Sequence, residues 1–257
     1  MKPTLSEKLL LRLSTQPKAI ESYSDPLDPV TALKTFRAEF PDFDELIRGK
    51  KVVDFGCGFG FQATAIALAG AQSVLGLEME PEKVEFATEQ ARKAGLASKV
   101  RFQTKINLSD YGQFDVILSQ DAMEHFSQPK EVLEEMTRLL KPGGLLLMTF
   151  GPPWYAPYGA HMQYFVKVPW VHLLFSEKTI MKVRSRFRND NATRYSEVPG
   201  GLNQMTLSRF ERLVAHSGLK IRSNRYRCVR KMSWSAKLPG VRELMVNNVS
   251  VKLTKTT

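Results

Sequence analysis

Residues 52–60 read Val52-Val53-Asp54-Phe55-Gly56-Cys57-Gly58-Phe59-Gly60, an apolar run that meets glycine at every second position. Such a run is a strand entering a tight turn. Without Cβ atoms at 56, 58 and 60, the backbone can take positive φ and lie close to a ligand at the start of a following helix. A dinucleotide fingerprint requires G-x-G-x-x-G. Here Gly56 and Gly58 hold that register, but position 61 is Phe and the third glycine comes one residue early.

Segments of matching kind follow in order. Ser73–Glu78 is a short apolar strand ending in a carboxylate, 22 positions after Gly56, a distance at which a strand-end acid takes the hydroxyls of a ribose. Pro81–Ala94 carries helix formers from a first-turn proline to the stop at Gly95. Lys99–Gln103 reads as a third strand and Phe114–Ser119 as a fourth. Pro129 opens a helix through Leu140, and Leu145–Phe150 forms a fifth strand. Alternating strands and helices predict a parallel sheet covered on both faces.

The D-x-G-x-G-x-G loop at Asp54–Gly60 resembles the cofactor loop of class I S-adenosylmethionine-dependent methyltransferases. The run Leu139-Leu140-Lys141-Pro142-Gly143-Gly144-Leu145 resembles the helix-turn-strand of the ubiquinone-biosynthesis and related small-molecule methyltransferases. Residues from about 50 to 150 match that family's core in order and spacing. The resemblance implies an α/β fold with a Rossmann-like seven-stranded sheet that closes on two antiparallel strands, Leu219–Lys231 and Val246–Thr254. It implies S-adenosyl-L-methionine as cofactor, held by Asp54, Gly56, Gly58, Gly60, Glu78, Asn107 and Gln120. A carboxylate at 54 would repel phosphate but suits a ligand bearing an ammonium and a sulfonium. Asn107 falls where the family commonly has Asp.

The chain, 257 residues long, holds one large α/β domain with additions. Residues 1–50 are expected as a helical cap, broken by Pro26, Pro29 and Pro41, with an apolar face at Val30, Leu33, Phe36 and Phe40. Residues 51–257 form the methyltransferase domain. Within it, 151–205 is an insertion with 9 of the 25 aromatics, read as the lid over the acceptor, with a homodimer interface as the alternative. A helix over Leu207–His216 follows, capped by Thr206 or Ser208 and stopped by Gly218. Glu7, Lys8 and Arg12 interrupt the leading apolar run, which argues against a signal peptide or membrane span. Cys57 and Cys228 make no metal or disulfide pattern, and a reducing cytoplasm is the default.

The net charge of +11 is concentrated: residues 182–231 carry 13 Lys and Arg against 3 acids. Arg184, Arg186 and Arg188 alternate, which on a strand would place them on one face. Arg222, Arg225, Arg227, Arg230 and Lys231 fall in the expected sixth strand. The segment is either a solvated basic face or an attractor of an anionic partner, a small molecule, nucleic acid or membrane.

Methyl transfer from a sulfonium needs placement above all, and a base only for an acceptor such as a hydroxyl. His125 and His161 are the candidate bases, with His172 also in the lid; His216 reads as structural. Asp121, Glu124 and His125 resemble the Glu-x-x-Glu-His of metal-dependent relatives, so a divalent metal held by Asp121, Glu124, His125 and His161 is an open option beside a metal-free site. The leading function is methylation of a hydroxyl, before a nitrogen, of a small metabolite or glycan precursor, including an anionic one. An RNA methyltransferase using the basic C-terminal third and a non-catalytic cofactor-binding module are the alternatives.

Overall fold

The computed structural model describes residues 3–15 and 29–256. The expectation for Pro26 lies outside these residues, as does the side chain of Val30. The elements in order are α1 (Leu5–Leu13), α2 (Pro29–Ala32), α3 (Lys34–Glu39), α4 (Phe43–Ile47), β1 (Lys51–Phe55), α5 (Phe61–Leu68), β2 (Ser73–Leu77), α6 (Pro81–Lys93) and β3 (Val100–Gln103). They continue with β4 (Phe114–Gln120), α7 (Pro129–Leu139), β5 (Leu140–Phe150), α8 (Val171–Leu174), α9 (Glu177–Arg184), α10 (Leu207–Ala215), β6 (Leu219–Cys228), α11 (Val241–Met245) and β7 (Val246–Lys255).

The strands form one seven-stranded sheet in the order β3-β2-β1-β4-β5-β7-β6. The first five pair in parallel, while β7 runs antiparallel between β5 and β6. Strands buried on both faces need apolar side chains at odd and even positions alike, and β1 shows it. Val53 packs with Leu75, Ile117 and Leu146 on the face covered by α7 and α10. Its neighbour Val52 packs with Val74, Val116 and Leu147 on the face covered by α3, α4 and α5.

Strand β5 begins five residues earlier than the sequence suggests. Leu140 pairs with Phe114, the pairing resumes at Leu145 opposite Val116, and Lys141–Gly144 bulge out between. A proline and two glycines cannot hold a regular ladder, so the sheet steps around them. The sixth strand ends at Cys228, and Arg230 and Lys231 fall in a following 3-10 turn.

The additions divide between two places. Leu33, Phe36, Phe40 and Phe43 seat α3 and α4 against the sheet, with Phe36 stacked on both other rings. The first helix instead packs on the insertion: Leu10 joins Phe165, Ile180, Met181 and Tyr195 in a core separate from those on the sheet. Thr4 and Glu7 form a reciprocal cap at its start, and Glu7 also accepts from Lys182 Nζ at 2.8 Å. The aromatic density of the insertion thus fills a lobe of its own. Among the described residues, no helix is long and apolar enough to cross a membrane.

The basic segment is not one face. Arg184 ends helix α9 rather than lying on a strand; it is 3% exposed and pairs with Asp190, while Arg186 faces solvent. Arg225 and Arg227 reach from β6 to the buried carboxylate of Glu39, which fastens that edge strand to α3.

Candidate active site

The glycine turn joins β1 to α5 at the carboxyl edge of the sheet, where open α/β folds take ligands. Gly56 and Gly58 have φ of 82° and 52°, a region that side chains other than glycine's enter only at a cost. A Cβ on Gly58 would have no atom within 4 Å, and one on Gly56 would meet only Ala122 Cβ, at 3.9 Å. The backbone here therefore borders open space. Gly60 differs: its Cβ would lie 2.6 Å from Ala87 Cβ and 2.7 Å from the Phe102 ring, so close packing of α5 against α6 and β3 already accounts for glycine there.

Two carboxylates flank the turn. Glu78, just past β2, accepts from the Gly58 amide at 3.0 Å and from the Glu80 amide at 3.2 Å. Asp54 is 1% exposed, and its Oδ2 has no partner among the described residues. Burial, together with the nearby Glu78 charge, pushes its carboxyl up to about 7, against the lowering effect of the Ala63 amide. An orphaned buried acid beside bare glycine backbone fits a ligand that brings donors and positive charge. At the end of β4, Gln120 Oε1 accepts from Gln62 Nε2 at 2.9 Å, and that same amide reaches the Ala32 carbonyl. Asn107 caps the 3-10 turn at Leu108–Asp110, and its Nδ2 donates to Gln103 Oε1. This local role explains an amide there without a ligand.

The segment after β4 forms a wall between the glycine turn and the insertion. Asp121 takes φ of 48° and accepts from Thr149 Oγ1 at 3.0 Å. Glu124, 3% exposed, accepts from the Gly151 amide at 2.8 Å, while its Oε2 is unpartnered among the described residues. Burial raises its carboxyl to about 7. Phe126 meets Phe55 of β1 edge to face. Asn203, which the sequence reading missed, pins this wall from the insertion: its Nδ2 donates to the Met123 and Phe126 carbonyls at 2.7 and 2.8 Å, and its amide donates to the Glu124 carbonyl.

His125 and His161 meet on the far side of the wall, where both line a cavity of about 520 Å³ within the insertion lobe. His125 Nδ1 lies 2.7 Å from the Gly201 carbonyl. A carbonyl only accepts, so Nδ1 carries the proton and Nε2 presents a lone pair when the ring is neutral. The buried Nε2 of His161 has no partner among the described residues. Burial first, and the neighbouring His125, lower this imidazole to about 4, which keeps it neutral at ordinary pH. His172 is elsewhere: it is buried with its Nε2 2.6 Å from the Trp154 carbonyl and its ring against the Trp154 indole. His216 closes α10 with Nδ1 on the Arg212 carbonyl. Each is held by a backbone carbonyl, and neither lines this cavity.

The metal option fails on geometry. Among the described residues, no three His, Cys, Asp or Glu side chains gather as a metal site. Asp121 accepts from Thr149 Oγ1 and Glu124 from the Gly151 amide instead. The cavity instead brings in Tyr164 from the aromatic insertion and Arg184 and Arg188 from the basic segment, none of them expected as a base or a metal ligand.

A sheet of this order, with a glycine turn after β1 and an acid after β2, is the Rossmann-like methyltransferase fold. The family model described as a methyltransferase domain matches residues 46–152. A ubiquinone biosynthesis O-methyltransferase of Methylococcus capsulatus is 34% identical over 125 residues, 48% of this chain and 52% of that protein. The chain thus spans about half the length of the curated relatives it matches. Among solved structures, a geranyl diphosphate C-methyltransferase of Streptomyces coelicolor A3(2) superposes with a TM-score of 0.58 at 15% identity, covering 99% of this chain and 100% of that one. A structure described as a [4+2]-cyclase, SpnF, also gives 0.58, at 17% identity and 97% and 92% coverage. At such identities the likeness is one of fold. Residues 46–152 thus match a methyltransferase domain and resemble the same core in the ubiquinone O-methyltransferase relatives.

Proposed function

We propose that this protein transfers a methyl group from S-adenosylmethionine to a hydroxyl of a small molecule seated in the insertion-lobe cavity. The observation that carries the reading is the pair of imidazoles, His125 and His161, on the acceptor side of the wall whose other side borders the glycine turn. The ubiquinone O-methyltransferase relatives support a hydroxyl acceptor.

Asp54, Gly56, Gly58, Glu78 and Gln120 hold the cofactor. Bound there, S-adenosylmethionine supplies an electrophilic methyl carbon on a sulfonium. The backbone of the turn lets the ligand lie against it, Glu78 offers its carboxylate to ribose hydroxyls, and Asp54 balances positive charge. The wall at 121–126, fixed by Asn203, sets the distance between cofactor and acceptor, and placement of this kind supplies much of the acceleration in a displacement. His161 Nε2, neutral and buried, takes the proton of the acceptor hydroxyl as the new O–C bond forms. His125, oriented by Gly201, shapes the same side of the cavity. Each role uses side chains already in hand, and no step calls on a metal.

Incubation with methyl-labelled S-adenosylmethionine and a panel of small hydroxylated compounds tests the proposal. One labelled methyl on an oxygen supports it. Label on carbon or nitrogen alone, or transfer only to RNA, would overturn it.

A further inference from the structure

The acceptor cavity holds charged side chains that proton abstraction does not use. Arg184 and Asp190 both line it, and they neutralise each other through a two-pronged ion pair. Arg188 also lines it, and among the described residues no carboxylate pairs with it. Its guanidinium instead lies 4.5 Å from the centre of the Tyr164 ring, a stacking that fixes a planar cation without neutralising it. The cavity therefore carries one net positive charge.

Two further polar atoms need an acceptor. Tyr164 Oη and Arg184 Nε are buried, and neither makes a well-formed hydrogen bond among the described residues; the phenol oxygen lies beside both guanidiniums, which leaves its O–H free to donate. Arg184 itself is 3% exposed. An arginine N–H only donates and a phenol donates readily, so donors surround the Arg188 cation. Burying such groups without partners costs free energy that a ligand oxygen would recover. The remaining lining is mostly apolar, including Met162, Val198 and Leu202.

Resting on the methyltransferase reading of this cavity, we infer that the acceptor is a hydroxy acid whose carboxylate binds at Arg188 and Tyr164, with its hydroxyl at His161. One uncompensated cation matches one carboxylate, and guanidinium N–H groups match its two oxygens. A doubly charged phosphate monoester would bring more negative charge than the cavity balances. Arg188 is thus a specificity residue that takes no part in the proton transfer.

Calorimetry on protein saturated with S-adenosylhomocysteine tests this, with para-hydroxyphenylpropanoate, its neutral amide and phenyl phosphate as probes. The acid is expected to bind roughly tenfold or more tighter than the amide. Arg188→Leu should erase that preference, Arg188→Lys should keep part of it, and Tyr164→Phe should weaken the acid while preserving the ring under Arg188. Thermal melts establish that each variant is folded. Equal affinity for acid and amide, no measurable binding of either at millimolar concentration, or a preference that survives in Arg188→Leu would overturn the inference, as would phenyl phosphate binding more tightly than the acid. Saturation with S-adenosylhomocysteine is read first. If it binds and the acid preference is missing, the subsite falls while the methyltransferase reading stands; if it does not bind, that reading falls as well.

Discussion

The imidazoles of His125 and His161 meet edge to face with ring centroids 5.4 Å apart. One comes from the wall after β4 and the other from the insertion, so the contact joins the sheet core to the lobe that holds the cavity. Replacing His161 by Ala should lower kcat by about 10²–10⁴-fold if it takes the acceptor proton, with S-adenosylhomocysteine affinity unchanged. The acid limb set by His161 should lie near 4 rather than near the ordinary imidazole value. A kcat profile in His161→Ala that matches the parent protein would remove the base from this position.

Burial has opposite consequences for the acids and for His161. Asp54 and Glu124 both rise to about 7 on folding, so the stability they contribute is present below their unfolded pKa and is lost as pH climbs through 7. His161 is lowered, so its contribution is full above its unfolded pKa and is lost as pH falls toward 4. Asp54→Asn removes one ionising group from the first set. It should melt several degrees above the parent at pH 8, on the order of 1–3 kcal/mol, with the gap closing toward pH 4. The same variant should bind S-adenosylmethionine more weakly. A lower melting temperature at pH 8 would contradict this.

Asn203 fastens the wall at Met123 and Phe126 without touching the glycine turn. Asn203→Ala should therefore lower kcat, by roughly tenfold or more for a displacement of the reacting groups. It should leave S-adenosylhomocysteine affinity within about twofold, since uniform binding is untouched. Equal losses in cofactor affinity and kcat would place Asn203 in support of the whole site instead.

The core from β1 to β5 was legible because its signals are local. Val52 and Val53 mark a strand buried on both faces, and bare glycine at 56 and 58 marks a backbone bordering open space. The cavity was less legible, because its side chains come from separate turns brought together by a lobe core. His161 and His172 look alike in sequence, and only their places in the folded lobe separate them: His161 lines the cavity, while His172 packs on Trp154. The alternation of Arg184, Arg186 and Arg188 suggested a strand, but Ser176 caps a helix that runs through Arg184. Asn107 shows another limit: a residue in a family position also has a local role at the 3-10 turn that sequence does not reveal. Asn203 carried no local signal, since its partners lie about eighty residues upstream.

The central claim, that the glycine turn and Glu78 hold S-adenosylmethionine, is tested most directly by titrating S-adenosylhomocysteine into the parent protein, Gly58→Val and Glu78→Ala. The parent should bind one equivalent. Gly58→Val should lose binding, because its side chain would stand in the space the ligand needs, and Glu78→Ala should weaken it by about 1.5–3 kcal/mol per lost charge-assisted hydrogen bond. Glu78→Ala keeps the backbone test separate from strain at the positive φ of Gly58, and thermal melts verify folding of both. No binding by the parent, or unchanged affinity in both folded variants, would contradict the account.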